Sequence, residues 1–274
     1  MNLVLFSSTD NQVPEFLSLK MKLAPVYFFI VLVVKAVHHR VSDGGFVYFD
    51  PVFLNFVAYI RLKLEGMREK ININQWKRRE IYNFFKDYEE PYYGINVDLD
   101  CTVAYEYAKQ KKISFFLYYL YLILKAVNQT EALKYRIEGD DLFLYDVING
   151  SATIDRDDGT FGFSYIPYFE DLALFLDKAT EEMIDVRMSD QLIKTEIGEN
   201  IIHFSSVPWI KFTSVSHPRR YSRRDSIPKV TVGKYHMEGK KMKIPVSVHV
   251  NHAVADGLHI GEFYEKLQQL FDGL

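Results

Sequence analysis

The run Val246-Ser-Val-His-Val-Asn-His-Ala-Val-Ala-Asp-Gly257 carries the residue types in this chain best able to do chemistry. Val246, Val248 and Val250 share one face of an extended segment, and His252 has their parity. Burial on an apolar face disfavours a charged imidazole, and a neutral ring with one open nitrogen is what a general base requires. Asp256 and Gly257 follow where the strand must give way to a helix. The glycine permits a tight turn, and the carboxylate can cap the helix or hold an arginine. On this segment alone, a hydrogen-bonded core histidine stays open as the plainer reading.

The elements that must position His252 are read from periodicity and punctuation. Lys243–His252 is predicted as the last strand and Leu258–Phe271 as the closing helix. Trp76–Tyr88 reads as an amphipathic helix, with Ile81, Phe84, Phe85 and Tyr88 on one stripe. Ser114 reads as the N-cap of Phe115–Val127, which is apolar nearly all round. Glu138-Gly139-Asp140-Asp141 marks a hairpin between strands Leu133–Ile137 and Leu142–Asp146. Strands are predicted at Ser151–Asp155, Thr160–Ile166, Ile201–Ser206, Ile210–Ser214 and Lys229–Tyr235, and a helix over Glu170–Met188. The mixture implies an α/β chain of the α+β two-layer sandwich kind, a mixed β-sheet with helices packed on it.

Bulk properties narrow the function classes. With 274 residues and 48% hydrophobic composition, the chain can bury a full single core. A net charge of −3 leaves no electrostatic footprint for nucleic acid, and the basic run Arg219, Arg220, Arg223 and Arg224 reads as a solvated loop. Cys101 is the only cysteine, so no internal disulfide can form, and no Cys/His ligand spacing suggests a metal; a cytoplasmic location fits. Residues 1–66 show no sustained period and no chemical motif. They read as an N-terminal extension: a start placed too early, or an appendage or weak membrane-associated segment built on the apolar run Leu23–Val34. The second domain is then 67–274.

Four dispersed segments carry a family resemblance: Trp76-Lys-Arg-Arg-Glu80, Ser205-Ser-Val-Pro-Trp209, Thr231-Val-Gly-Lys-Tyr235 and Asn251-His-Ala-Val-Ala-Asp-Gly257. In order and separation they resemble the chloramphenicol acetyltransferase family, from Asn72 to Phe271; the HxxxDG motif alone marks the wider CoA-dependent acyltransferase superfamily. The resemblance implies an acetyl-CoA-dependent O-acetyltransferase with acetyl-CoA as co-substrate, no metal, and a small-molecule hydroxyl acceptor, chloramphenicol by default. It implies His252 as general base, Ser205 as donor to the oxyanion, Thr231 as support through water, and Arg78 with Asp256 as a shaping ion pair. Lys234 and Tyr235 match positions near the coenzyme A nucleotide. The resemblance also implies a homotrimer in which His252 faces a pocket built largely by a neighbouring subunit.

The sequence departs from the family chiefly at the acceptor pocket. Asn251 and Ala255 replace a histidine and a cysteine without touching the proposed chemistry. Val215 and His217 replace aromatic and aliphatic wall residues, His203 replaces a polar residue, and Phe85 replaces a tyrosine; Phe84, Phe161 and Phe163 complete the implied pocket. Another small alcohol or thiol acceptor therefore stands beside chloramphenicol, and a non-catalytic trimeric scaffold is the alternative of a different class. A lipoyl-bearing acyltransferase core is disfavoured, because no lipoyl domain or Ala/Pro linker precedes Met67.

Overall fold

Alternation of small apolar and polar side chains builds the central layer of the protein. The structure, a computed structural model, describes residues 68–193, 198–220 and 225–274. The extension 1–66 and two residues of the basic run, Arg223 and Arg224, lie outside the described residues. The described strands are β1 (Arg68–Lys70), β2 (Tyr92–Asp100), β3 (Tyr135–Glu138), β4 (Asp141–Tyr145), β5 (Asn149–Asp155), β6 (Phe161–Phe163), β7 (Ile201–Val207), β8 (Lys229–Gly233), β9 (His236–Glu238) and β10 (Lys241–Asn251). The helices are α1 (Arg79–Phe85), α2 (Thr102–Lys111), α3 (Phe115–Gln129), α4 (Leu172–Arg187) and α5 (Gly257–Phe271).

The main sheet runs β2-β10-β8-β7-β5-β6, with β9 added on β10, and a small sheet runs β1-β4-β3. It is mixed: β5 with β7 and β7 with β8 are parallel, while β10 is antiparallel to both β2 and β8. One face is apolar. Phe204, Val230, Val246, Val248 and Val250 pack there with α3, α4 and α5 in one core cluster. Tyr264 of α5 donates its hydroxyl to both Ile95 O and Val246 O at 2.8 Å, pinning that helix across β2 and β10. Its Ile260, Phe263, Leu267 and Phe271 are buried, each worth about 1.5–3 kcal/mol. Ser114 caps α3 as predicted, accepting from Leu117 N at 3.4 Å. The result is the predicted α+β arrangement of a mixed sheet with helices. No helix of the described residues is long and apolar enough to cross a membrane.

Several expectations are corrected. β2 and α2 were not foreseen. Ile210–Ser214 forms no strand; it belongs to an irregular segment whose Ile210 carbonyl accepts from Lys234 N at 2.9 Å. The helix predicted from Trp76 begins only at Arg79, after a short 3-10 turn, because the Trp76 ring turns inward against Tyr135 at 5.0 Å. The stripe of that helix is also inverted. Tyr82 is the buried residue, in a second cluster with Tyr135, Ile137, Leu142, Ala253 and Val254, while Ile81, Phe84 and Tyr88 are exposed. Arg219 is no solvated loop residue. It pairs with Glu90 and lies 3.6 Å over the Tyr92 ring.

Candidate active site

β10 ends at Asn251, so His252 is the first residue past the strand, one residue short of the predicted boundary. Its backbone N–H donates to Pro91 O at 2.8 Å, which ties the turn to the entry of β2. The imidazole stacks on Phe85 at 4.2 Å with 3° between planes, and Tyr93 leans on it at 4.6 Å. The ring plane is thus fixed from α1 and from β2. Nδ1 is buried without a hydrogen-bond partner among the described residues, which leaves Nε2 as the nitrogen able to meet a reactant. Burial, then the Asp256 charge, pushes the nearby Tyr93 hydroxyl up to about 12, so it stays a neutral donor.

Asp256 does the two jobs its position suggested. Its Oδ1 accepts from Leu258 N at 3.1 Å, capping α5, and its Oδ2 accepts from Arg78 Nη1 at 2.6 Å. Burial alone would raise this carboxyl, but the Arg78 hydrogen bond and the neighbouring His259 and Arg78 charges outweigh it and hold it below the ordinary carboxylate range. Arg78 Nε and Nη2 are buried with no protein partner among the described residues, so this corner retains unused donors beside the imidazole.

The other face of the sheet is polar. Ser205, Thr231, Ser247 and Asn96 stand opposite one another across β7, β8, β10 and β2. His203, Lys229, His249 and Gly94 form the next row on the same face. His217, from the irregular segment, puts Nε2 3.3 Å from Thr231 Oγ1 and packs edge-on against His249 at 4.9 Å. Val215 is half-buried and its backbone touches the His249 ring. Burial, then the charges of His249 and Lys229, hold His217 down to about 4, so it is neutral near pH 7. His203 is lowered in the same direction by burial and Lys229, although its open side limits the effect.

The predicted residues therefore fall into separate groups. His252, Phe84, Phe85, Arg78 and Asp256 gather at the end of β10. Ser205, Thr231, His203, Val215 and His217 gather on the polar face. Ser247 lies level with Ser205, and His252 lies five residues beyond it, so His252 and Ser205 are separated by roughly 17 Å along the strand and roughly 10 Å across it. Lys234 and Tyr235 are exposed just past β8; the Tyr235 ring meets Tyr105 at 5.4 Å and Phe115 at 6.0 Å. Phe161 and Phe163 touch each other at 5.6 Å on β6, two strands beyond Ser205. Among the described residues, no cluster of His, Cys, Asp or Glu could hold a metal ion.

Sequence reasoning missed Tyr93, Ser247, His249 and Asn96. The alternation of Tyr93, Ile95, Val97 and Leu99 with Gly94, Asn96, Asp98 and Asp100 was the signal that could have found the strand, though not the part that its residues play.

Comparison with known proteins meets this geometry. A sequence model of the family described as chloramphenicol acetyltransferase matches residues 67–268. The chloramphenicol acetyltransferase of Staphylococcus aureus is 29% identical over 206 residues, covering 74% of this chain and 95% of its own. That of Proteus mirabilis is 27% identical over 203 residues, covering 74% and 94%. A solved chloramphenicol acetyltransferase superposes with a TM-score of 0.65 at 28% identity, covering 75% of this chain and 98% of that one. A dihydrolipoamide acetyltransferase of Azotobacter vinelandii shares the fold at 16% identity, with a TM-score of 0.53 over 66% of this chain and 81% of that one. The matched span takes in both rows of the polar face, His252 and its Arg78–Asp256 support, and the chain belongs to the chloramphenicol acetyltransferase family of acyltransferases.

Proposed function

We propose that the protein moves an acetyl group from acetyl-CoA to a hydroxyl of a small-molecule acceptor, with His252 as general base and chloramphenicol as the reference acceptor. The observation that carries this reading is the His252 imidazole, stacked on Phe85 and met at a tilt by Tyr93, close to the Arg78–Asp256 pair. Nε2 of His252 takes the acceptor's hydroxyl proton as that oxygen bonds to the thioester carbon. Ser205 donates to the carbonyl oxygen as charge develops there, with Thr231 beside it to hold a water. His252 then returns the proton to the departing sulfur as the carbon–sulfur bond breaks. The products are the acetyl ester and the free CoA thiol.

Because the base and the serine of one chain stand so far apart, His252 is read as working with Ser205 of a neighbouring copy in a homotrimer. Proton transfer needs heavy atoms within about 3 Å. Lys234 and Tyr235 suit the nucleotide of acetyl-CoA: Tyr235 joins Tyr105 and Phe115 in an aromatic shelf, and Lys109 stands 5.3 Å over the Tyr105 ring. Cations and flat rings together favour phosphates and a base.

The test follows thiol release from acetyl-CoA with chloramphenicol and other alcohols. Turnover should require acceptor, and His252→Ala should lower it by about 10²–10⁴-fold with an unchanged circular dichroism spectrum. Full rates in a folded His252→Ala protein would remove the mechanism.

A further inference from the structure

His252 lacks the contact that ordinarily orients a working imidazole. A histidine base is held through the hydrogen bond made by its second ring nitrogen. Nδ1 of His252 has no such partner among the described residues. The rings of Phe85 and Tyr93 restrict the imidazole plane. They do not set how far the ring stands along that plane, which depends on the backbone that carries it. His252 lies just outside β10, in a turn whose position rests on a few specific hydrogen bonds and not on a ladder.

One residue gathers most of those bonds. Asn251, the last residue of β10, is only 4% exposed. Its Oδ1 accepts from Ala253 N at 2.9 Å, and its backbone carbonyl accepts from Val254 N and Ala255 N at 3.1 Å. Its Nδ2 donates to Asp225 O at 2.9 Å, in the segment that leads into β8. A backbone N–H can only donate and a carbonyl can only accept, so the two contacts fix which way the carboxamide points. Asp225 is itself held. The Tyr92 hydroxyl donates to its Oδ1 at 2.5 Å, with Ile227 O 2.9 Å away, and Lys229 Nζ stands 3.6 Å from its Oδ2. Tyr92 faces Asn251 across the ladder of β2 and β10, and it adjoins Pro91, whose carbonyl accepts from His252 N. The residues on both sides of His252 are thus tied to one anchor. We infer that Asn251 is a positioning residue for the proposed base, its carboxamide fixing the turn that carries His252 to the Tyr92–Asp225 anchor. From sequence the asparagine reads as a silent replacement; its two amide contacts give it this part. The inference rests on the transferase reading above.

The experiment follows thiol release from acetyl-CoA with chloramphenicol and other alcohols, in the full chain. It compares the parent with Asn251→Ala, Asn251→Asp, His252→Ala and the double variant Asn251→Ala/His252→Ala. Alanine removes both amide contacts, whereas aspartate keeps the acceptor and sets a second oxygen against the Asp225 carbonyl. A displacement of about 1 Å at a reacting group can cost about 10²-fold. Asn251→Ala and Asn251→Asp should therefore each lower kcat by roughly 10–100-fold, with the KM for acetyl-CoA within about twofold of the parent. In the His252→Ala background the same Asn251→Ala change should cost about twofold at most, because the ring it positions is gone. A residue that only supported the fold would cost as much in either background. Should Asn251→Ala fail to fold, the near-isosteric Asn251→Asp takes its place in both comparisons. Parental kcat in a folded variant, a defect lying wholly in KM, or a loss of equal size with and without the His252 ring would overturn the positioning role and leave the transferase reading standing. A parent chain that releases no thiol with any acceptor would overturn the transferase reading, and this inference with it.

Discussion

His252 and Ser205 differ in how their neighbours commit them. The imidazole has two ring neighbours and a backbone tie, so its plane is set before any reactant arrives. Ser205 is half-buried in a row of hydroxyls, and the role proposed for it is confined to charge that exists only in the transition state. Ser205→Ala should therefore lower kcat by about 10²–10³ and leave the KM for acetyl-CoA nearly unchanged, in steady-state titration. A defect lying wholly in KM would contradict the assignment. The sequence made His252 and Asp256 visible because three fixed residue types sit within six positions. It concealed Tyr93 and Asn96, whose contribution depends on a strand pairing, β2 against β10, between residues far apart in the chain. Arg136 is hidden for the same reason. It is fully buried, and its guanidinium donates to the carbonyls of Leu133, Tyr135, Glu199 and Ile201, a cage no local pattern announces.

At the scale of elements, the turn between β10 and α5 joins the proposed site to stability. Asp256 caps α5 and holds Arg78 with one carboxylate. Asn is an equally good cap, so Asp256→Asn isolates the ion pair and should cost about 1–3 kcal/mol at pH 7, read by urea unfolding. The folded carboxyl titrates below its ordinary value, so its contribution is full above the ordinary carboxylate pKa and fades as pH falls through the lowered one. The Asn variant should thus lie closest to the parent in acid and furthest from it near neutrality; a constant difference down to pH 2 would contradict the linkage. Strongly periodic elements were legible: α3, α5, β10 and the β3–β4 hairpin stand within a few residues of expectation. β2 escaped because Gly94, Asn96, Asp98 and Asp100 are poor strand formers taken singly. α2 escaped because Lys112, at a φ of 56°, ends it where a glycine would have signalled the stop. Ile210–Ser214 misled in the opposite sense, with strand-like residues but no strand ladder among the described residues.

At the scale of the whole molecule, the family match begins at residue 67. A chain lacking residues 1–66 should remain soluble, trimeric by light scattering, and active in the thiol-release assay. An insoluble or monomeric product would make the extension part of the fold.

The span of the sheet between His252 and Ser205 has a consequence for mixtures of damaged chains. A chain with His252→Ala still offers an intact serine row, and a chain with Ser205→Ala still offers an intact base. In a ring of three, any trimer drawn from both kinds contains one junction where the good halves meet. Two inactive proteins, unfolded together and refolded in equal amounts, should then recover about a quarter of the parental sites, while either refolded alone recovers none. The double variant mixed with parental chains should instead spoil two junctions for each molecule incorporated, so activity falls faster than the parental fraction. Failure of the two single variants to rescue each other would mean that each chain closes its own site.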